Sequence, residues 1–231
     1  MNKHFKFSKV FIIRSDISMN SLGLNDSELF IINNEYDFSS MNPAELIETA
    51  KMQAVLIKKL YKLSLRDPLT GLYNNSAIRN NIQSFLENEG KNGTHCLMFL
   101  DIDNFKYIND NFGHLFGDDV IEEFASLITE LCSPYDTISG RTGGDEFLIL
   151  VKNAALPQIN QLSVNICNAF YSICGGELCS DVSCSIGISF YPDDAECFTS
   201  LVELADRALY LSKKLGKNCF TLYSKEFDDK A

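Results

Sequence analysis

The spacing of apolar residues changes repeatedly between residues 66 and 223, and each change marks an element. Ile78, Ile82, Phe85 and Leu86 recur at helical spacing and predict a helix over residues 75–89. Cys96-Leu97-Met98-Phe99-Leu100 is an unbroken apolar run, the pattern of a strand buried on both faces, and it ends in Asp101-Ile102-Asp103. Residues 104–110 read as a short helix and residues 112–118 as a glycine-punctuated turn. Val120, Phe124, Leu127, Ile128 and Leu131 then mark the buried stripe of a further helix that Asp118 or Asp119 can cap. Two short apolar runs flank Gly143-Gly144 and predict a tight hairpin, because the favoured hairpin turns use positive φ that glycine reaches without steric cost. Leu156, Ile159, Leu162, Ile166, Phe170 and Ile173 predict a long helix ending near Gly175-Gly176. Strict alternation from Val182 to Phe190 predicts a half-buried strand. Leu201, Leu204, Ala205, Ala208, Leu209 and Leu211 predict a last helix stopped by Gly216, followed by a strand over residues 218–223. This order predicts an α/β fold, a mixed central β-sheet flanked by helices.

Before residue 66 the pattern is different. Residues 9–13 and 28–32 read as short strands, too little for an independent domain of ordinary size. Residues 1–42 are thus a short N-terminal extension: a dimer-forming segment, a pairing cap or the remnant of a sensor. Asn42 before Pro43 predicts a helix start, with asparagine as the cap and proline at the first helical position. Ile47, Ala50, Ala54, Ile57 and Tyr61 make one stripe of that helix and Leu46, Leu56, Leu60 and Leu63 a second. A helix so widely apolar either packs inside a domain or pairs with another copy, so residues 43–65 are a packing helix or a dimer stalk. Turn formers crowd residues 66–74 and place a boundary just before them. The main domain spans 66–225, with a frayed tail over 226–231.

Composition narrows the function. Hydrophobic residues make up 45% of the 231 positions, with 17 Phe and 9 Tyr, which suits a packed core and excludes general disorder. A formal charge of -11 argues against nucleic acid as the main partner, since phosphate backbones are met by clustered Lys and Arg. An anionic small ligand would need local cations or a bound metal. No apolar run approaches the roughly 18 residues of a membrane span, so a cytoplasmic protein is expected. Cys96, Cys132, Cys167, Cys184 and Cys219 sit in apolar patterns and read as buried, reduced thiols. Cys174, Cys179 and Cys184 form no Cys-x-x-Cys pair and have no histidine nearby, which argues against zinc.

The candidate chemistry lies where these elements end. A buried strand ending in carboxylates places acid at a sheet edge, where α/β proteins commonly bind ligands. The hairpin Arg141-Thr142-Gly143-Gly144-Asp145-Glu146-Phe147 adds two more carboxylates, though alone it fits a solvated surface turn as well as a site. Seven motifs then occur in order: Asp67-Pro68-Leu69-Thr70-Gly71-Leu72-Tyr73-Asn74, Asp101-Ile102-Asp103-Asn104-Phe105-Lys106, Asn109-Asp110-Asn111-Phe112-Gly113-His114, Gly117-Asp118, the hairpin, Ala205-Asp206-Arg207-Ala208-Leu209-Tyr210, and the segment from Lys213 to Asn218. Over about residues 65–223 the chain resembles the GGDEF family of diguanylate cyclases, whose catalytic domain is palm-like, as in nucleotidyl cyclases.

That resemblance implies an enzyme that condenses two GTP into cyclic di-GMP, acting as a homodimer in which each protomer holds one GTP. It implies Mg²⁺, with Mn²⁺ as an alternative, held by Asp101, Asp145 and the backbone carbonyl of Ile102. Such phosphoryl chemistry is mostly positioning and charge neutralisation, which carboxylate-held metal ions serve well. Asp145 is also the implied base for the 3′-hydroxyl, assisted by Glu146, and Lys106 the cation neutralising the transition state. Asn109 and Asp118 resemble guanine readers, an amide and a carboxylate matching the donors and acceptors of that base. His114 is implied in substrate contact, Gly143 and Gly144 in leaving room for the nucleotide, and Lys213 and Lys217 in phosphate contact.

Three positions depart from the family pattern. Lys217 stands where arginine is usual and loses bidentate geometry. Ser133-Pro134-Tyr135-Asp136-Thr137 lacks the arginine of the Arg-x-x-Asp product-inhibition site, so feedback through that site is not expected. Thr142 replaces the commoner aromatic residue. Two alternatives stay open: a non-catalytic GGDEF-like module that binds GTP or cyclic di-GMP, and a cyclase making a mixed or adenine-containing product.

Overall fold

The computed structural model describes residues 41–174 and 182–225. The strands predicted at 9–13 and 28–32, the tail over 226–231 and Cys179 lie outside the described residues. The chain divides into two units, Met1–Ser64 and Leu65–Ala231.

In the first unit, α1 (Pro43–Ser64) starts as its sequence predicts. The Asn42 side-chain oxygen accepts from the backbone N–H groups of Ala44 and Glu45 at 2.9 and 3.0 Å. Glu45 returns a bond to the Asn42 N–H at 2.9 Å, closing a reciprocal capping box. Ile47, Val55, Ile57 and Tyr61 are all more than half exposed along this helix, and Leu56 is its buried residue.

The second unit holds β1 (His95–Asp103), β2 (Thr137–Arg141), β3 (Glu146–Val151), β4 (Ser183–Tyr191) and β5 (Phe220–Leu222). They form a five-stranded mixed sheet in the order β2-β3-β1-β4-β5. β1 pairs antiparallel with both β3 and β4, β2 antiparallel with β3, and β5 parallel with β4. Helices α2 (Asn75–Asn88) and α6 (Phe198–Lys214) cover one face of the sheet. Helices α3 (Phe105–Phe112), α4 (His114–Cys132) and α5 (Leu156–Cys174) lie on the other side. The period-two rule assigns these faces along β1. Cys96, Met98, Leu100 and Ile102 pack with Phe124, Ile128 and Phe170, while Leu97 and Phe99 pack with Ile78, Ile82 and Leu201. Phe124 meets Phe147 edge-on at 5.0 Å and Phe170 at 4.4 Å between ring centroids, and all three are fully buried.

Five details differ from the sequence expectation. β1 continues through Asp101-Ile102-Asp103 because β4 pairs with it as far as Asp103. The turn expected over 112–118 shrinks to Gly113, whose φ of 85° lets α4 begin at His114. Asp118 and Asp119 therefore lie inside α4 and cap nothing. β4 is buried on both faces rather than half-buried, because its small residues lie under α6. A Cβ on Gly187 would strike the Ala205 carbonyl and the Leu209 backbone, while Ser189 and Ser212 donate to the carbonyls of Leu201 and Ile186. β5 is shorter than the run that predicted it. Cys219 is partly exposed, whereas Cys96, Cys132, Cys167 and Cys184 are buried free thiols as expected.

Candidate active site

Three elements converge at one end of the sheet: the end of β1, the hairpin between β2 and β3, and the end of α6. Asp101 stands opposite Glu146 on β3 and Ser185 on β4. The Ile102 N–H donates to the Asp145 carbonyl at 3.1 Å, tying hairpin to strand. By strand alternation Asp101, Asp103, Glu146, Ser183 and Ser185 share the α6 side with Leu97, Phe99 and Leu148. From the last turn of α6, Lys213 Nζ lies 2.7 Å from Asp101 Oδ1. Asp101 is nevertheless pushed up to about 6: burial, with the Asp145 and Asp103 charges, outweighs the lysine. Glu146 is raised as well, by burial first and then by Asp145, with Lys213 only partly offsetting them.

The hairpin is not the tight positive-φ turn expected. Neither Gly143 nor Gly144 takes positive φ. The loop is closed by Thr142, whose N–H and hydroxyl both donate to the Glu146 carbonyl at 2.9 and 3.3 Å. That role does not need an aromatic ring. A Cβ on Gly144 would meet nothing within 4 Å, and one on Gly143 only Glu146 Oε2 at 3.4 Å. The fold would thus admit side chains here, and their omission leaves open surface beside the carboxylates. Arg141 buttresses the loop: its Nε donates to the carbonyls of Gly143 and Gly144 at 3.2 and 3.0 Å, and its Nη2 to Gly144 at 2.8 Å. Nη1 of the same side chain pairs with Asp67 Oδ1 at 3.2 Å. Burial alone would raise Asp67, but two bonds from Thr70 and the Arg141 charge hold it below the usual carboxylate range.

A second group gathers where α3 meets α4. Gly117 is buried, and a Cβ there would strike the Asn109 side-chain oxygen, so glycine lets that amide lie against α4 one residue before Asp118. His114, Asp118 and Lys106 are exposed. Asn104, left-handed at φ 59°, joins β1 to α3 and accepts from Lys217 Nζ at 2.6 Å. Both predicted lysines therefore reach the end of β1, one on Asp101 and one on Asn104. Asn109, half-buried, and Asp118, exposed, lie where α3 meets α4.

Mg²⁺ and Mn²⁺ favour hard oxygen donors and Mg²⁺ keeps few protein ligands. Asp101, Asp145 and the Ile102 carbonyl are hard oxygen donors of that kind. The Ile102 side chain is buried in the core, so this residue offers only its backbone. Among the described residues no three His, Cys, Asp or Glu side chains group into a metal cage. Two carboxylates and one carbonyl suit an ion that completes its shell with water or ligand oxygens.

Residues 64–219 match the family model described as "Diguanylate cyclase, GGDEF domain". The chain belongs to the GGDEF family. Among solved structures, the coiled coil and GGDEF domain of DgcB from Caulobacter crescentus, in complex with c-di-GMP, aligns with a TM-score of 0.68 at 26% identity. That alignment covers 78% of this chain and 96% of the other. Diguanylate cyclase A of Treponema denticola is 38% identical over 57% of this chain and 36% of its own length. The cyclic di-GMP phosphodiesterase PdeR of Escherichia coli is 29% identical over 97% of this chain and 32% of its own length. The chain spans about a third of each of these two curated relatives. Among the described residues no helix is long and apolar enough to cross a membrane.

Within this GGDEF domain, sequence reasoning assigned no individual role to Asp67, Asp103 or Arg141, although each stands inside a quoted motif. Their partners are up to 115 residues away in the chain, so no local spacing could have paired them.

Proposed function

We propose that the chain condenses two GTP molecules into cyclic di-GMP with release of two pyrophosphates, residues 66–225 forming the catalytic unit. The observation that carries this reading is the open, glycine-lined hairpin set against Asp101, with Asp145 and Glu146 beside it. Asp101, Asp145 and the Ile102 carbonyl would hold Mg²⁺ or Mn²⁺, which when bound stabilises negative charge on the transferring phosphoryl group. Asp145 accepts the proton of the 3′-hydroxyl, whose oxygen attacks the α-phosphorus of the other GTP. Glu146, half-buried and raised in pKa, assists that proton transfer. Lys106, Lys213 and Lys217 offset triphosphate charge. Asn109 and Asp118 read guanine, and His114 contacts the nucleotide from the first position of α4.

One protomer supplies one half-reaction, so two hairpins must face each other. The exposed apolar side chains of α1, Ile47, Val55, Ile57 and Tyr61, support pairing with a second copy through residues 43–65. Product inhibition through an Arg-x-x-Asp site is not expected, because Ser133 to Asp136 supplies no arginine.

A second reading is a non-catalytic GGDEF-like module that binds GTP or cyclic di-GMP, and the similarity to a cyclic di-GMP phosphodiesterase, PdeR, over nearly all of this chain favours it. Incubating purified protein with Mg²⁺ and GTP, ATP or both, at rising protein concentration, separates the readings. Cyclic di-GMP from GTP alone, with turnover per chain rising with concentration, is the expected result. GTP binding without any cyclic dinucleotide would favour the module, and product only from the mixture would reassign the substrate.

A further inference from the structure

Asp103 has no place in the chemistry above, yet it is the most deeply buried carboxylate described at the site, at 1% exposure. Both of its oxygens accept hydrogen bonds. Ser185 Oγ donates to Oδ1 at 2.7 Å, while Oδ2 receives Ser183 Oγ at 2.7 Å and the Asn218 N–H at 3.2 Å. The two serines come from β4, directly across from β1, and Asn218 from the segment linking α6 to β5. One side chain thus fastens three chain segments together.

The segment it fastens is a costly one. Gly216, Lys217 and Asn218 take φ values of 117°, 66° and 48°, three consecutive residues on the positive side, two of them not glycine. Left-handed non-glycine residues are disfavoured and persist only where surrounding bonds over-determine them. Here those bonds are Asn218 N–H to Asp103, Lys217 N–H to the Ser212 carbonyl at 3.1 Å, and Lys217 Nζ to Asn104. Asn104, itself left-handed, is the residue after Asp103, so both ends of the lysine bridge depend on the same corner of β1.

We infer that Asp103 is a positioning residue: it clamps the left-handed turn Gly216–Asn218 to the end of β1, holding Lys217 at the phosphate side of the site. The inference rests on the proposed reading that Lys217 meets the triphosphate. Without the clamp, the turn relaxes toward ordinary backbone and carries Lys217 away from Asn104, while Lys213 keeps its place on α6. Recognition of the base, on α3 and α4, stays intact.

Calorimetric binding of GTP and of guanosine to the full chain, wild type and variants, tests this. Asp103→Ala should weaken GTP binding about tenfold and guanosine binding less than twofold. Asp103→Asn, which keeps the shape and one acceptor, should recover part of the loss. Ser183→Ala removes a single bond to Asp103 and serves if Asp103→Ala does not fold; it should shift GTP binding about two- to threefold, with Ser183→Thr restoring it. Lys217→Ala should add little in an Asp103→Ala background, since the two act in series. Equal losses for GTP and guanosine, or no loss for either, would overturn the inference while leaving the cyclase reading in place. A wild-type chain that binds guanosine but gains nothing from the triphosphate would overturn both.

Discussion

The two faces of β1 start alike and end differently. On the side of α4 and α5, Cys96, Met98, Leu100 and Ile102 are apolar to the last residue and disappear into the Phe124–Phe147–Phe170 cluster. On the side of α2 and α6, Leu97 and Phe99 also belong to a core, but the next two positions of that face are Asp101 and Asp103. One strand serves as scaffold on one face and as scaffold followed by site on the other. Burial is nearly equal on both, so burial alone does not tell them apart. The difference lies in what compensates it: apolar neighbours on one face, and on the other Lys213, two serines and a backbone N–H.

Substitutions on the two faces should therefore fail in different ways. The largest effect is expected for Asp101→Asn, with turnover falling about a thousandfold, roughly 4 kcal/mol of transition-state stabilisation. Its thermal stability at pH 7 should be unchanged or higher. Asp101 in the folded protein holds its proton up to about 6, above its ordinary value, so ionising it opposes folding, and the stability it contributes is lost as pH rises from about 4 to 6. A calorimetric melt alongside the assay checks both halves. Phe124→Ala should show the reverse pattern, losing about 3–4 kcal/mol in urea unfolding while the folded fraction keeps its turnover. Gly187→Ala lies between them. A methyl there meets the backbone of α6, so it should cost about 2–3 kcal/mol and, by moving the helix that carries Lys213, weaken GTP binding too. The smallest effect concerns pH. If Asp101 holds the metal as proposed, it must be ionised to do so, so Mg²⁺ affinity should fall about tenfold between pH 7 and pH 5, and Asp101→Asn should flatten that dependence.

The helices and most of the sheet were legible because apolar period follows burial. Ile78, Ile82 and Leu86, or Val120, Phe124 and Ile128, repeat as helix faces do. β4 misled for a physical reason: Ser183, Ser185, Gly187 and Ser189 look like a solvated face, but they are small so that α6 can pack on the strand, and their hydroxyls are satisfied internally. The hairpin glycines misled in the other direction, suggesting a conformational need that the backbone does not have. The carboxylates and lysines of the candidate site were visible as motifs. What fastens them, Arg141 to Asp67 and Asp103 to Ser183, Ser185 and Asn218, was not, because those pairs are brought together by topology and not by spacing.

Asp145, beside Asp101 at the open hairpin, is the residue proposed to carry the chemistry. The most direct test compares wild type and Asp145→Asn for two quantities in the same preparation, cyclic di-GMP formed from Mg²⁺ and GTP, and GTP bound at equilibrium. The account predicts product from the wild type, none detectable from the variant, and GTP affinity retained within about threefold. Equal product formation by the two proteins would contradict it.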